Sequence, residues 1–294
     1  MRPPLVITSP ANPRLKALAA LRRRRTREDE GVTLIEGYEE LQLALRAGVE
    51  PRSLFYCPDL MADPSTQRVL IEEAYGAGAE IFQVGRSAFE RAAYREGPDG
   101  FLAVVGSVTR VCADLQVPDD ALILICEGVE KPGNLGAMLR TADAAGVDAV
   151  IAADPVTDWG NPNVVRSSKG TVFSVPVASD TTQGMLAWLT ARGIPIVAAT
   201  PDTTTMHTDI SYAGPLAIAV GAEKHGLSAE VLEAARHKVR IPMVGQANSL
   251  NVSTSAAVVV YEAVRQRRAA VMSIASHTAS PVPDASDRAV ISVR

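Results

Sequence analysis

Apolar positions along this chain fall into short blocks whose spacing switches between two periods. Val32 to Ile35, Ser53 to Tyr56, Glu80 to Val84 and Gly100 to Val105 are runs of strand type. Between them the spacing turns helical. Leu15, Leu18 and Leu21 share one face, Tyr38 to Ala47 turns Leu41 and Leu45 inward, and Arg68 to Tyr75 and Ser87 to Arg95 continue the pattern. Asn12 is placed to cap the first of these helices, Pro13 to open it, and Gly31 ends the unit. Short strands alternating with short helices predict a small α/β unit over residues 1–106.

From Ser107 to Asp120 the apolar pattern weakens and ends in Pro118-Asp119-Asp120, so 107–120 reads as a linker. A second α/β unit follows over 121–270. Ala121 to Cys126 is apolar without alternation, which suits a central parallel strand covered on both faces. Ala149 to Ala152, Ile194 to Ala199, Leu216 to Val220 and Lys238 to Ile241 read as further strands. Asn134 to Ala145, Asn163 to Lys169, Met185 to Arg192, Ala229 to Arg236 and Leu250 to Arg268 read as helices. Residues 271–294 mix Ser, Pro, Ala and Asp with little periodicity and read as a mobile tail.

Composition narrows this picture. The 294 residues are 47% hydrophobic and 21% charged, material for one large domain or two ordinary ones. No apolar run approaches the ~18 residues of a membrane span, so no membrane role is expected. Met1-Arg2-Pro3-Pro4 lacks the form of a secretory leader, and three scattered cysteines, Cys57, Cys112 and Cys126, fit a reducing compartment without a metal cluster. The expected location is the cytoplasm. Net charge is −4, yet Arg14, Lys16, Arg22, Arg23, Arg24, Arg25 and Arg27 form a basic run free of Asp and Glu. Such a run is either a solvated helix face or a nucleic-acid contact that releases counterions. Glu28, Asp29 and Glu30 follow at once and offset part of it.

Three clusters carry candidate chemistry, each just beyond a strand read as buried. Glu130-Lys131-Pro132-Gly133-Asn134-Leu135-Gly136 opens a helix that Asn134 can cap, with Arg140 about one and two-thirds turns further on. It matches neither a Walker A loop nor the dinucleotide glycine fingerprint. Gly221-Ala222-Glu223-Lys224-His225-Gly226-Leu227 lies at a strand's carboxyl end, where α/β sheets place ligands. Ile241-Pro242-Met243, which could flank a flat ring, precedes Asn248-Ser249-Leu250-Asn251-Val252-Ser253-Thr254-Ser255, a polar turn that leads into an apolar helix. Each cluster alone also reads as a helix cap or a strand-to-helix turn.

Together and in this order they resemble the three motifs of the SpoU (TrmH-like) RNA ribose 2′-O-methyltransferases, over about residues 121–268. The amino-terminal part is similar in layout to the L30e-like substrate-binding domain often attached in that family. The resemblance implies a carboxyl-terminal trefoil knot with a mostly parallel sheet, S-adenosylmethionine as cofactor, no metal, and a homodimer. Periodicity alone would suggest an ordinary open sheet, since knots are rare. It implies that Asn134 orients the active-site loop and RNA, that Arg140 contacts the target phosphate or 2′-hydroxyl, and that Glu223 holds the loop or Arg140. Ser249 and Asn251 would position substrate and the cofactor end. The cofactor would lie against Thr200, Pro201, Val220, Gly221, Glu223, Ile241, Met243, Ser249, Leu250, Asn251 and Ser253.

A ribose hydroxyl attacking a sulfonium methyl group needs positioning and help in losing its proton, and no metal. Arg side chains stay protonated in proteins, so an electrostatic role suits Arg140 better than that of a base. The implied partner is a structured RNA, ribosomal (23S) ahead of transfer RNA, with self-resistance in an antibiotic producer as one form of this reading. A non-catalytic RNA-binding or ribosome-assembly factor of the same fold, and a nucleotide-binding α/β enzyme, are the competing classes.

Overall fold

The computed structural model describes residues 3–278, with side chains through residue 270. The amino-terminal sheet contains β1 (Leu5–Ile7), β2 (Val32–Glu36), β3 (Pro51–Tyr56), β4 (Glu80–Val84) and β5 (Phe101–Gly106), in the order β1-β4-β3-β5-β2. Its helices are α1 (Pro13–Ala20), α2 (Arg24–Glu30), α3 (Tyr38–Arg46), α4 (Pro64–Gly76) and α5 (Arg86–Ala92). The edge strand β1 is three residues long with Leu5 and Val6 exposed, so it carries no period from which to read it.

The second sheet holds β6 (Leu122–Glu127), β7 (Ala149–Ala153), β8 (Val177–Asp180), β9 (Ile196–Ala199), β10 (Leu216–Val220) and β11 (His237–Val239). All its pairings are parallel, in the order β11-β9-β10-β6-β7-β8. Its helices are α6 (Pro132–Ala145), α7 (Pro162–Ser167), α8 (Thr182–Ala191), α9 (Ala229–Ala234) and α10 (Val252–Thr278). The unbroken apolar run of β6 has its cause here. Leu122, Leu124 and Cys126 join Met138, Val164 and Val259 in one core, while Ile123 and Ile125 join Met185, Leu189 and Val231 in the other. Each such side chain, fully buried, contributes roughly 1.5–3 kcal/mol. Central β6 and β10 therefore open their carboxyl ends side by side, and β9 lies next to β10.

Four local expectations change. The helix expected through Leu21 is broken: α1 stops at Ala20, and α2 starts after an extended Arg23. Arg27 fixes the break, because its Nη1 donates to the carbonyls of Leu21 and Arg22 at 2.9 and 3.0 Å. Asn134 does not cap α6. Pro132 occupies the first turn, where its missing N–H costs nothing, so Lys131 becomes the cap position and Asn134 turns into the helix. Segment 107–120 is no free connector, since Cys112 and Leu115 are buried and Arg110 O accepts from Ser179 N at 2.8 Å. Finally, α10 continues past Arg268 to Thr278, and the rest of the expected tail lies outside the described residues.

The two sheets are joined by specific side chains. Arg27 meets both carboxylate oxygens of Asp158 at 2.8 Å, Lys169 pairs with Glu39 at 2.9 Å, and Asn163 Nδ2 donates to the Tyr94 hydroxyl at 3.0 Å. Among the described residues no helix is long and apolar enough to cross a membrane.

Candidate active site

The three clusters occupy loops at the carboxyl ends of β6 and β10 and at the start of α10, and close backbone approaches shape the first two. A Cβ on Gly136 would stand 2.0 Å from Ser167 Oγ and 2.7 Å from the Ser167 carbonyl carbon, so α6 and α7 touch at this glycine. Loop 221–227 folds back on itself, with Gly226 N donating to Ala222 O at 2.8 Å. A Cβ on Gly221 would stand 2.1 Å from the Gly226 carbonyl carbon, which leaves no room for a side chain.

Asn251 serves two purposes at once. Its Oδ1 caps α10, accepting from Ser253 N at 2.9 Å and Ser253 Oγ at 2.6 Å. Its Nδ2 donates to Glu223 Oε1 at 3.0 Å and reaches Asn134 Oδ1 at 3.2 Å. Asn134 Nδ2 donates to the same Glu223 oxygen at 2.9 Å, and Lys131 Nζ pairs with Oε2. The Lys131 ammonium, and after it the Asn134 amide, hold the Glu223 carboxyl below the usual carboxylate range. One carboxylate thus gathers side chains from all three clusters. The hydrogen bonds of Glu223 run to the other two loops and not to Arg140. Arg140 is exposed on α6, and Glu223 is engaged by Lys131, Asn134 and Asn251 instead.

Beside this network opens a cleft of about 610 Å³, with Thr200, Pro201, Val220, Gly221, Glu223, Ser249, Leu250 and Asn251 on its walls. An adjoining recess of about 80 Å³ takes Ile241 and Met243 as well as Thr200, Pro201, Ser249 and Leu250. Ser253 lines neither and is occupied with the cap. Pro201, Leu227 and Leu250 provide apolar wall, and Glu223 and Asn251 provide polar groups. That mixture fits an adenosyl group joined to a charged amino-acid tail. A third pocket, about 220 Å³, shares Ala222, Glu223 and Lys224 with the cleft and is also lined by Val129, Lys131 and Asn134.

Residue-level reading misses three kinds of participant. Lys131 is hidden by the assignment of Asn134 as cap. Leu227 and Ser255 line the cleft although neither type suggests a ligand. Glu127, buried at the end of β6, accepts from Ser228 N at 2.8 Å and Thr182 Oγ1 at 2.9 Å, and so anchors the exit of loop 221–227. Burial pushes the thiols of Cys112, with Asp180 beside it, and Cys126 up to about 12, which removes them as nucleophiles at neutral pH.

The basic run divides. Arg27 is a correction: it is 3% exposed and committed to Asp158, so it cannot face a nucleic acid. Arg22 donates through Nη2 to the Ala92 and Ala93 carbonyls at the end of α5, at 2.9 and 2.5 Å, and stands over the Tyr94 ring. Arg14 lies over Phe82 at 4.9 Å, and Arg24 pairs with Glu28 at 2.7 Å. Lys16, Arg23 and Arg25 are exposed, with Arg25 only loosely paired to Asp29 at 3.7 Å.

Comparison with known proteins places this geometry. Residues 121–261 match the SpoU rRNA Methylase family, and residues 12–103 match an MRM3-like substrate binding domain. The 23S rRNA (guanosine(2553)-2′-O)-methyltransferase RlmP of Bacillus subtilis (strain 168) is 29% identical over 261 residues, covering 87% of this chain and 97% of that protein. The 23S rRNA (uridine(2479)-2′-O)-methyltransferase of Streptomyces viridochromogenes is 31% identical over 262 residues, covering 86% of this chain and 88% of that protein. The crystal structure of the AdoMet-bound rRNA methyltransferase from Sinorhizobium meliloti superposes with a TM-score of 0.80 at 27% identity, covering 88% of this chain and 97% of the other. The likeness runs through both sheets rather than stopping at the three loops, and the chain belongs to the SpoU rRNA methylase family.

Proposed function

We propose that this chain transfers a methyl group from S-adenosylmethionine to a ribose 2′-hydroxyl of 23S ribosomal RNA. One observation carries the reading: Asn134, Glu223 and Asn251, from three separate loops, meet in one hydrogen-bonded network at the edge of a cleft large enough for the cofactor. Relatives that act on 23S rRNA at a guanosine and at a uridine align over nearly their whole length, which supports the RNA class and leaves the base open.

S-adenosylmethionine, when bound, would supply a methyl group on a sulfonium centre, whose C–S bond breaks to release a neutral thioether as the methyl passes to the ribose oxygen. The chain's own work is placement. Thr200, Pro201, Leu250 and the 221–227 loop would hold the cofactor and exclude water. Asn134 and Asn251, fixed by Glu223, would present the ribose, and the exposed Arg140 would stabilise its developing alkoxide or the neighbouring phosphate. Residues 1–106 would carry the RNA and 121–270 the reaction. The enzyme would work in the cytoplasm and as a homodimer, the latter supported by the exposed apolar side chains of Val244, before α10, and Tyr261, on it. Light scattering should then return twice the 31.1 kDa chain mass.

The decisive assay is transfer from radiolabelled S-adenosylmethionine to unmodified 23S rRNA and, in parallel, to transfer RNA, followed by nucleoside analysis. A 2′-O-methylnucleoside from the ribosomal RNA alone is expected. Label in transfer RNA alone would move the substrate, and label on a base would break the residue assignment.

A further inference from the structure

Resting on the methyltransferase reading above and adding a residue to it, we propose that Lys131 is a positioning residue of this site. It sets the orientation of Glu223 and through it the amides of Asn134 and Asn251.

The geometry of one carboxylate points to this role. Glu223 Oε1 accepts from two amides, Asn134 Nδ2 at 2.9 Å and Asn251 Nδ2 at 3.0 Å. Both bonds need the carboxylate plane held in one orientation, since a half-turn merely exchanges equivalent oxygens while a smaller rotation takes Oε1 off both amides. The terminal torsion is broad in carboxylates, so nothing intrinsic to Glu holds it. Lys131 Nζ, seated on Oε2, supplies the missing third point. Among the described residues it is the cation that touches this network.

The lysine's own root is held on both sides. Its carbonyl accepts from Asn134 N at 3.0 Å and Leu135 N at 3.3 Å. The neighbouring Glu130 carbonyl accepts from Thr157 Oγ1 at 2.5 Å, and the Pro132 carbonyl accepts from Ser167 Oγ at 3.1 Å. The side chain therefore leaves from a fixed point and crosses to a residue on another loop. Lys131, Asn134 and Glu223 also share the wall of the 220 Å³ pocket, which has Glu223 in common with the cofactor cleft. A ribose entering there would displace water from all three, and the ion pair would strengthen as screening falls.

Magnitude separates this role from a surface pair. The Lys131 side chain is 70% exposed in the free chain, and an exposed pair is worth at most about fivefold in any equilibrium. A residue that positions the reacting groups under bound RNA should matter more, by roughly tenfold or above.

The test compares Lys131→Met and Lys131→Arg with the full-length chain, using unmodified 23S rRNA and S-adenosylmethionine. The expected result for the Met variant is a fall in kcat of about tenfold or more, with the Kd for S-adenosylmethionine unchanged, and recovery of most of the loss in the Arg variant. Hydrogen exchange, read on the free chain, adds a measure that needs no activity. The amides of loop 221–227 and of Ser253 should exchange faster in the Met variant and normally in the Arg variant. A loss of kcat within about fivefold together with unchanged exchange would overturn the proposal. A wild-type chain that binds S-adenosylmethionine yet labels no RNA would count against the substrate reading. The exchange comparison would still decide the role of Lys131.

Discussion

Asn251 shows how one side chain can be read correctly and incompletely. A polar residue before an apolar helix predicts a cap, and Oδ1 is one, bonded to Ser253 N at 2.9 Å. Its amide nitrogen does different work on Glu223 and Asn134. The two roles can be separated, because Asp caps about as well as Asn but has no amide hydrogens. Asn251→Asp should keep the helix start, with a stability change of no more than ~1 kcal/mol from the new carboxylate beside Glu223. It should nevertheless lose most methyl transfer. A melting curve and the transfer assay on the same preparation check both halves. A variant that melts normally and transfers normally would show that the amide arm is dispensable. Lys131 illustrates the opposite failure. Nothing in a Glu-Lys-Pro-Gly-Asn string distinguishes a lysine in solvent from one seated on a carboxylate 92 positions away.

At the scale of elements, strands and helices are legible wherever packing imposes a period. Leu216–Val220 and Glu80–Val84 can be read to the residue, the first as an unbroken apolar run and the second within the alternation of strands and helices. Leu5–Ile7 and Val177–Asp180 escape such a reading, being short edge strands with three and four residues. Helix packing is legible only as glycines that allow a close backbone approach, Gly133 and Gly136 alike. Gly136 has one: its missing Cβ is where Ser167 stands, so α6 and α7 meet backbone to side chain. Gly133, one turn earlier on the same helix, has nothing within 4 Å of its missing Cβ. The pair makes an internal control. Ala is better than Gly in a helix by up to ~1 kcal/mol, so Gly133→Ala should leave stability unchanged or slightly raised. Gly136→Ala should destabilise by roughly 1–3 kcal/mol despite the same propensity gain, because the Ser167 carbonyl carbon cannot move without parting the helices. Urea unfolding of the two variants decides the matter. Equal midpoints would mean that the close approach at Gly136 is not strained by a methyl group.

At the scale of the whole molecule, the basic run from Arg14 to Arg27 belongs partly to the fold and partly to the surface. Composition could not divide it, since the division depends on Asp158, which lies 131 positions beyond Arg27 and on the other domain. Arg27 and Asp158 are 3% and 13% exposed, so removing one partner leaves a charge stranded between the domains. Arg27→Gln strands Asp158 and should destabilise the chain by roughly 3–5 kcal/mol. Arg23 and Arg25 stand in solvent, and the Asp29 pairing at 3.7 Å is too weak and exposed to restrain Arg25. If these cations meet RNA phosphates, Arg23→Gln with Arg25→Gln should leave melting unchanged. It should also weaken RNA binding and flatten the salt dependence of log K by about 0.7–0.9 for each phosphate no longer neutralised. Binding measured at several salt concentrations, with melting curves for both variants, separates the two populations. An unchanged slope in the double variant would make this face a solvated helix. RNA docking would then fall to other cations, such as Lys224, which is exposed and lines the cleft.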